Sequence, residues 1–126
     1  MAHVLVIDDD PTIRSLIEEI LVTMGHSVVD APDGRAGIAI FSREKIDLVV
    51  TDIVMPDQEG IETIGAMRRL DRTMPILAIS GSATVGGAAD YLRAAAALGA
   101  TETLQKPFTP DHFIGAVDRL LAAAGH

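Results

Sequence analysis

The sequence predicts an α/β fold in which a doubly wound, five-stranded parallel sheet is flanked by five helices. Five short apolar runs, rich in β-branched residues, alternate with five segments whose apolar residues recur at helical spacing. This alternation requires each strand to reach the next through a right-handed helical crossover, which makes the strands parallel and places helices on both faces. The 126 residues suffice for one such domain.

The first strand, residues 3–7, ends at the acidic run Asp8-Asp9-Asp10. Asp10 is expected to be the N-cap of the first helix, with Pro11 at its first position. The apolar residues of this helix recur at helical spacing: Ile13, Leu16, Ile17, Ile20, Leu21 and Met24.

Gly25 is expected to end the first helix and to lead into the second strand, residues 27–31. Asp33 and Gly34 then open a second helix whose apolar pattern is weaker. Its apolar residues are Ala36, Ile38, Ala39, Ile40 and Phe41.

The third strand, residues 48–51, is a continuous apolar run and is therefore expected to be buried on both faces. It stops at Asp52, and Pro56 closes the turn beyond it. In an open α/β sheet, ligands bind in the crevice outside the carboxyl ends of the strands, which makes Asp52 a candidate site residue. Taken alone, Asp52 is equally well explained as a turn residue before Met55 and Pro56.

The fourth strand, residues 75–80, ends in a hydroxyl, that of Ser80. A glycine-rich loop, residues 81–87, separates it from an alanine-rich fourth helix that Gly99 is expected to end. The third helix carries Ile61, Ile64, Met67 and Leu70, and the fourth carries Tyr91, Leu92, Ala95 and Leu98.

The fifth strand, residues 101–105, is followed directly by Lys106. Thr109 and Pro110 open the last helix as its N-cap and first residue. The apolar residues of this helix are Phe113, Ile114, Val117, Leu120 and Leu121.

Charge and composition exclude several classes of function. The net charge of −8, without a basic cluster, argues against a nucleic-acid or membrane partner, because both require clustered Lys and Arg. The chain has no cysteine, which excludes disulfides and thiolate metal sites. No basic segment precedes a long apolar one, so we expect no signal peptide and no membrane span. We expect a cytoplasmic single domain, residues 1–126, without an output domain.

Polar side chains follow the predicted strands at one edge of the sheet. Asp8 and Asp9 follow the first strand, Asp52 the third, Ser80 the fourth and Lys106 the fifth. Neighbouring parallel strands lie about 4.8 Å apart, so these side chains can surround one small ligand. Clustered carboxylates without Cys or paired His favour Mg²⁺, which binds through one or two carboxylates plus a phosphate. Lys106 and Ser80 offer a charge and a hydroxyl donor for that phosphate.

This ordered set resembles the receiver domains of two-component response regulators, with a flavodoxin-like, CheY-like fold. The acidic pair Asp8 and Asp9, Asp52 with Met55-Pro56 downstream, Ser80, and the run Lys106-Pro107-Phe108 all occur in the family's order. Each motif is weak evidence alone, but the complete set spans nearly the whole chain. The resemblance implies the strand order 2-1-3-4-5.

By this resemblance, Asp52 is the nucleophile that accepts a phosphoryl group from a histidine kinase or a histidine phosphotransfer protein. The domain would catalyse its own phosphorylation and dephosphorylation, and would signal to an unknown downstream protein or relay the phosphate. Lys106 would pair with Asp52 and then with the phosphoryl oxygens, and Ser80 would hydrogen-bond the phosphoryl group. The peptide bond between Lys106 and Pro107 is expected to be cis.

The resemblance also implies a Mg²⁺ site. Asp9 and Asp52 would bind the ion directly, and Asp8 would act largely through its waters. The backbone carbonyl of Val54 would supply a further ligand.

The sequence departs from the family's pattern at two places. Thr103 stands where many receivers carry an aromatic residue whose ring turns inward on phosphorylation. The connection from Ser80 to Lys106 is also about one helical turn longer than usual, with the extra length near residues 81–88. We therefore expect the conformational response to be centred on Ser80 and this loop.

Two alternatives remain open at this point. Asp8, Asp10 and Thr12 fit the Asp-x-Asp-x-Thr signature of haloacid-dehalogenase-like phosphatases, with Asp8 as the nucleophile. Pro11 and the absence of a role for Asp52 count against that assignment. The chain could instead be a flavodoxin-like interaction module that takes no phosphate, since fold alone does not establish function.

Overall fold

The computed structural model describes residues 1–53, 59–80, 96 and 99–125. These residues form a five-stranded parallel sheet in the order β2-β1-β3-β4-β5, which confirms the predicted fold class. The elements with defined bounds are β1 His3–Ile7, α1 Pro11–Thr23, β2 Ser27–Ala31, α2 Gly34–Arg43, β3 Leu48–Asp52, α3 Glu59–Leu70, β4 Ile76–Ser80, β5 Glu102–Gln105 and α4 Pro110–Ala123.

All five predicted strands are present, with boundaries within one residue of the predicted ones. The described residues contain four helices with defined bounds, not five, and α4 is the predicted last helix. The glycine-rich loop and the alanine-rich helix that were predicted after Ser80 lie outside the described residues, except that Ala96 is helical.

Capping residues begin and end the helices as predicted. Asp10 accepts a hydrogen bond from the backbone N–H of Thr12 at 2.9 Å. Asp33 and Thr109 accept equivalent bonds at the N-termini of α2 and α4. Gly25 has φ of +93°, the left-handed conformation that ends a helix at low cost for glycine.

Side chains that alternate along the strands pack into two apolar layers, one on each face of the sheet. Val4 and Val6 of β1 point to the face covered by α1 and α4, whereas Leu5 and Ile7 point to the face covered by α2 and α3. Every residue of β3 and β4 is buried, as expected of central parallel strands covered on both faces. Burial on both faces holds the carboxyl ends of these strands rigidly in place.

The register of the strands brings their carboxyl ends to one edge. Ile7 of β1 pairs with Thr51 of β3, so the residues after β1 lie beside the end of β3. In β4, Ser80 pairs with Gln105 of β5, the residue before Lys106. The site predicted from the sequence therefore lies along one edge of the sheet.

Gly37 of α2 lies directly on the sheet. A Cβ atom at this position would contact the Cδ1 atom of Ile7 and would lie 2.9 Å from its Cγ1, and Ile7 is fully buried. We expect Gly37→Ala to destabilise the fold by about 1–3 kcal/mol, because overpacking outweighs the better helix propensity of alanine. Urea denaturation of the variant measures this effect.

Gly65 of α3 is the matched control for this substitution. Of the described part of the chain, its added Cβ would meet only Arg69 Nη1, at 3.8 Å. Gly65→Ala should therefore raise stability by about 0.5–1 kcal/mol. Equal and positive effects at both glycines would contradict the steric explanation.

Within the described ranges, no helix is both long and apolar enough to cross a membrane.

Candidate functional site

Three carboxylates converge at the carboxyl edge of the sheet. Asp8 and Asp9 follow β1, and Asp52 is the last residue of β3. One carboxylate oxygen from each lies within 4.8 Å of the other two. Asp8 and Asp52 are buried, whereas Asp9 is exposed. The two buried acids thus form the floor of the site, and Asp9 forms its solvent side.

Lys106 is the cation that the described residues bring to the site. Its Nζ lies 3.4 Å from Asp52 Oδ2 and 3.7 Å from Asp8 Oδ2. The peptide bond between Lys106 and Pro107 is cis, as predicted. The next residue, Phe108, stacks on Phe113 of α4 with ring centroids 5.8 Å apart. This stacking anchors the segment that carries the lysine to the core.

The negative charge of Asp8 is only partly compensated. Its Oδ1 accepts a hydrogen bond from the backbone N–H of Asp10 at 2.9 Å, whereas its Oδ2 is buried and has no hydrogen bond to the described residues. Burial raises the pKa of Asp8 from 3.8 to about 6, and the charge of Asp52 adds to this rise. The Asp10 N–H and Lys106 lower the pKa of Asp8 only in part. One lysine does not neutralise three acids.

The donor set fits a hard divalent cation. Among the described residues, the side-chain donors are all carboxylate oxygens, and one buried oxygen in this group has no hydrogen bond to them. A bound cation would relieve the repulsion that raises the pKa of Asp8. Asp8, Asp9 and Asp52 could hold such an ion, and the predicted ligand Val54 lies outside the described residues, as do Met55 and Pro56.

Ser80 and Thr103 occupy the positions predicted for them. Ser80 ends β4 and is fully buried, and its carbonyl accepts a hydrogen bond from the backbone N–H of Lys106 at 2.7 Å. The polypeptide segments of Ser80 and Lys106 are thus joined directly. Thr103 lies in β5 opposite Ala78 and is half-buried. The loop that begins at residue 81 lies outside the described residues.

Sequence reasoning missed Arg14. Its Nη1 donates a hydrogen bond to the backbone carbonyl of Asp8 at 2.7 Å, and its Nε donates to Asp30 Oδ2 at 3.3 Å. A signal was present, because a cation near the N-terminus of a helix opposes the helix dipole. The unfavourable interaction with the helix dipole must be offset by contacts to the guanidinium, which the Asp8 carbonyl and the Asp30 carboxylate supply here.

Comparison with known proteins identifies a single family. A family model described as "Response regulator receiver domain" matches residues 4–118. The crystal structure of a response regulator receiver domain protein from Clostridium thermocellum superposes with a TM-score of 0.89 at 28% identity, covering 98% of this chain and 97% of that one.

Curated relatives differ in length. Transcriptional regulatory protein GlrR of Escherichia coli is 32% identical over 120 residues, which are 95% of this chain and 26% of that protein. An uncharacterized 14.6 kDa protein from the sodA1 3' region of Leptolyngbya boryana is 33% identical over 122 residues, which are 95% of this chain and 90% of that protein. The chain thus spans about a quarter of the length of GlrR and most of the second relative.

Proposed function

The chain belongs to the response regulator receiver domain family, and we propose that Asp52 accepts a phosphoryl group in a Mg²⁺-dependent reaction. The donor would be a phosphohistidine of a histidine kinase or a histidine phosphotransfer protein. The observation that carries this proposal is the placement of the Asp52 carboxylate 3.4 Å from Lys106 Nζ, beside Asp8 and Asp9. The family is a signalling module built around a phosphoacceptor.

The transfer needs a carboxylate that is held in place and compensated in charge. Asp52 is the last residue of a strand that is buried along its whole length, so its position is fixed by the sheet. An oxygen of Asp52 attacks phosphorus, the new O–P bond forms, the N–P bond breaks, and its electron pair returns to the imidazole nitrogen. Lys106 stays beside the carboxylate throughout and stabilises the added negative charge.

Asp8, Asp9 and Asp52 would hold Mg²⁺, with Val54 contributing its carbonyl oxygen. When bound, the ion would supply positive charge that neutralises the carboxylates and the incoming phosphoryl oxygens. Without such neutralisation, an anionic phosphodonor would meet three carboxylates and one lysine. This balance of charge is the reason to expect strict dependence on a divalent cation.

The response would begin at Ser80. A phosphoryl group adds about −1.5 to −2 charges and strong acceptor oxygens, and Ser80 ends the strand next to Asp52. Thr103 has no ring to turn inward, so the response would concentrate on Ser80 and the residues that follow it. A downstream protein would then bind the phosphorylated domain, or the phosphoryl group would be transferred onward.

Incubation with acetyl phosphate and Mg²⁺, followed by mass spectrometry, tests the proposal. We expect one phosphoryl group on wild-type protein, located on Asp52 by peptide mapping, and none in EDTA. Asp52→Ala should carry no label, because Asp52 is the one acid among the described residues that is itself the last residue of a strand, and it lies 3.4 Å from the lysine.

Two outcomes would contradict this assignment. Label that persists in Asp52→Ala but is lost in Asp8→Ala would move the nucleophile to Asp8, as in the haloacid-dehalogenase-like alternative. That alternative is disfavoured, because the receiver model covers residues 4–118. Absence of any label in the presence of Mg²⁺ would instead favour an interaction module that takes no phosphate.

A further inference from the structure

Arg14 folds back over the carboxyl end of β1 instead of extending into solvent. Its side chain is only 19% exposed, which is low for an arginine near the start of a surface helix. The guanidinium makes two directed contacts: Nη1 lies 2.7 Å from the backbone oxygen of Asp8, and Nε lies 3.3 Å from Asp30 Oδ2. Arg14 therefore connects α1 to the ends of both β1 and β2.

The backbone carbonyl of Asp8 lies one residue beyond the last paired residue of β1. The backbone N–H of Asp8 still donates to Ala31 at 3.2 Å, but the paired residues of β1 end at Ile7. Beyond that point the described strands offer no paired residue to the Asp8 carbonyl, and a backbone carbonyl withdrawn from water requires a hydrogen-bond partner. Arg14 supplies this partner.

Holding this carbonyl fixes the orientation of one peptide plane. The carbonyl belongs to the peptide unit that joins Asp8 to Asp9, and the unit is planar. Its orientation sets the direction in which the chain enters Asp9, and hence where the Asp9 carboxylate can reach. The Asp8 carboxylate is held separately, by the backbone N–H of Asp10 at 2.9 Å.

We propose that Arg14 is a positioning residue for divalent cation binding: it fixes the peptide between Asp8 and Asp9 so that their carboxylates converge with Asp52. Asp30 holds the guanidinium in place from β2. The inference rests on the proposed Mg²⁺ site and adds to it a residue that does not touch the ion.

Charge and positioning predict opposite effects of removing Arg14. A cation beside an acidic site repels Mg²⁺, so its loss should strengthen binding if charge alone mattered. Loss of the fixed peptide plane should weaken binding, because residues that orient metal ligands typically contribute about 10- to 100-fold in affinity. The sign of the change therefore separates the two roles.

The test is a Mg²⁺ titration of the full chain, followed by amide NMR, with the stability of each variant in EDTA measured separately. Arg14→Met keeps the apolar stem and removes the guanidinium, and it should bind Mg²⁺ about 10-fold more weakly than wild type. Arg14→Lys keeps the charge without the planar fork and should bind about 3-fold more weakly. Arg43→Ala, an exposed arginine in the last turn of α2, should leave the affinity unchanged.

Unchanged Mg²⁺ affinity in Arg14→Met, even with lower stability in EDTA, would reduce Arg14 to a structural residue and overturn the inference. Tighter Mg²⁺ binding by Arg14→Met would show that Arg14 acts through its charge, and would also overturn the inference. If Arg14→Met does not fold, Arg14→Lys decides: weaker binding at unchanged charge supports positioning, and wild-type affinity overturns it. Wild-type protein that binds no Mg²⁺ would overturn the proposed metal site and this inference together.

Discussion

Asp8→Asn should make the protein more stable at pH 7 in EDTA, by about 2–3 kcal/mol. Asp8 is 1% exposed, its Oδ2 has no hydrogen bond to the described residues, and two further carboxylates lie within reach. Ionised Asp8 therefore costs free energy in the metal-free fold. Asparagine has the same shape, keeps an oxygen for the Asp10 N–H and can donate its amide to the neighbouring acids.

The pH dependence of this effect has a defined sign. The pKa of Asp8 rises from 3.8 to about 6 on folding, so the folded state holds its proton more tightly than the unfolded chain. The contribution of Asp8 to stability is fully present below pH 3.8 and is lost as the pH rises through 6. The advantage of Asp8→Asn should consequently be largest at pH 7 and should vanish towards pH 4.

Urea denaturation at pH 4, 5, 6 and 7 in EDTA measures this advantage. Asp10→Asn is the matched control, because it removes the same charge two residues along the chain while asparagine keeps the N-cap of α1. We expect it to change stability by less than about 0.5 kcal/mol. Loss of stability in Asp8→Asn at pH 7 would mean that the carboxylate is compensated in a way that the described contacts do not provide.

Addition of Mg²⁺ should make the wild-type protein more stable than Asp8→Asn, the reverse of the order expected in EDTA. A cation that binds only the folded state stabilises it by mass action, and wild-type protein offers one more carboxylate to it. Wild-type stability should therefore rise with Mg²⁺ more steeply than that of Asp8→Asn. The same acid is thus unfavourable for the metal-free fold and favourable for the site, as expected of a functional residue.

Lys106→Ala should abolish most of the phosphorylation-induced response while the protein still binds Mg²⁺. The Nζ of Lys106 lies 3.4 Å from Asp52 and 3.7 Å from Asp8, so it contacts the acids directly. Its removal takes one positive charge away from the acids, and Mg²⁺ affinity should stay equal or rise by up to about 10-fold. By the proposed mechanism, the variant loses the cation that would bind the phosphoryl oxygens. It also loses the side chain of the residue whose backbone N–H donates to the carbonyl of Ser80.

Amide NMR with Mg²⁺ and beryllofluoride, a phosphoryl mimic, measures this response. In wild-type protein we expect shifts at Ser80 and in the residues after it, and in Lys106→Ala we expect shifts confined to the metal-binding acids. Lys45 is the one other lysine of the chain and is exposed, so Lys45→Ala should respond as wild type does. A full response in Lys106→Ala would assign the coupling to another residue.

The sequence alone determined the order of the strands along the chain, the helix caps and the acids at the strand ends. These features are local: β-branched runs, Asp-Pro and Thr-Pro pairs and glycine stops act within a few residues, and Asp10, Gly25 and Thr109 serve as predicted. The resemblance to receivers also required only an ordered set of short motifs. It implied the strand order and the cis bond before Pro107, and both are confirmed.

Tertiary structure alone decided how the acids differ from one another. Asp8 is buried, with one oxygen that has no hydrogen bond to the described residues, whereas its neighbour Asp9 is exposed, and the identical residue types do not predict this difference in burial. The contact of Arg14 with Asp8 and Asp30 likewise depends on how α1 lies across the ends of β1 and β2. Sequence periodicity reports which side of an element faces the core, whereas such contacts depend on register, sheet twist and helix placement, which arise only when distant segments pack together.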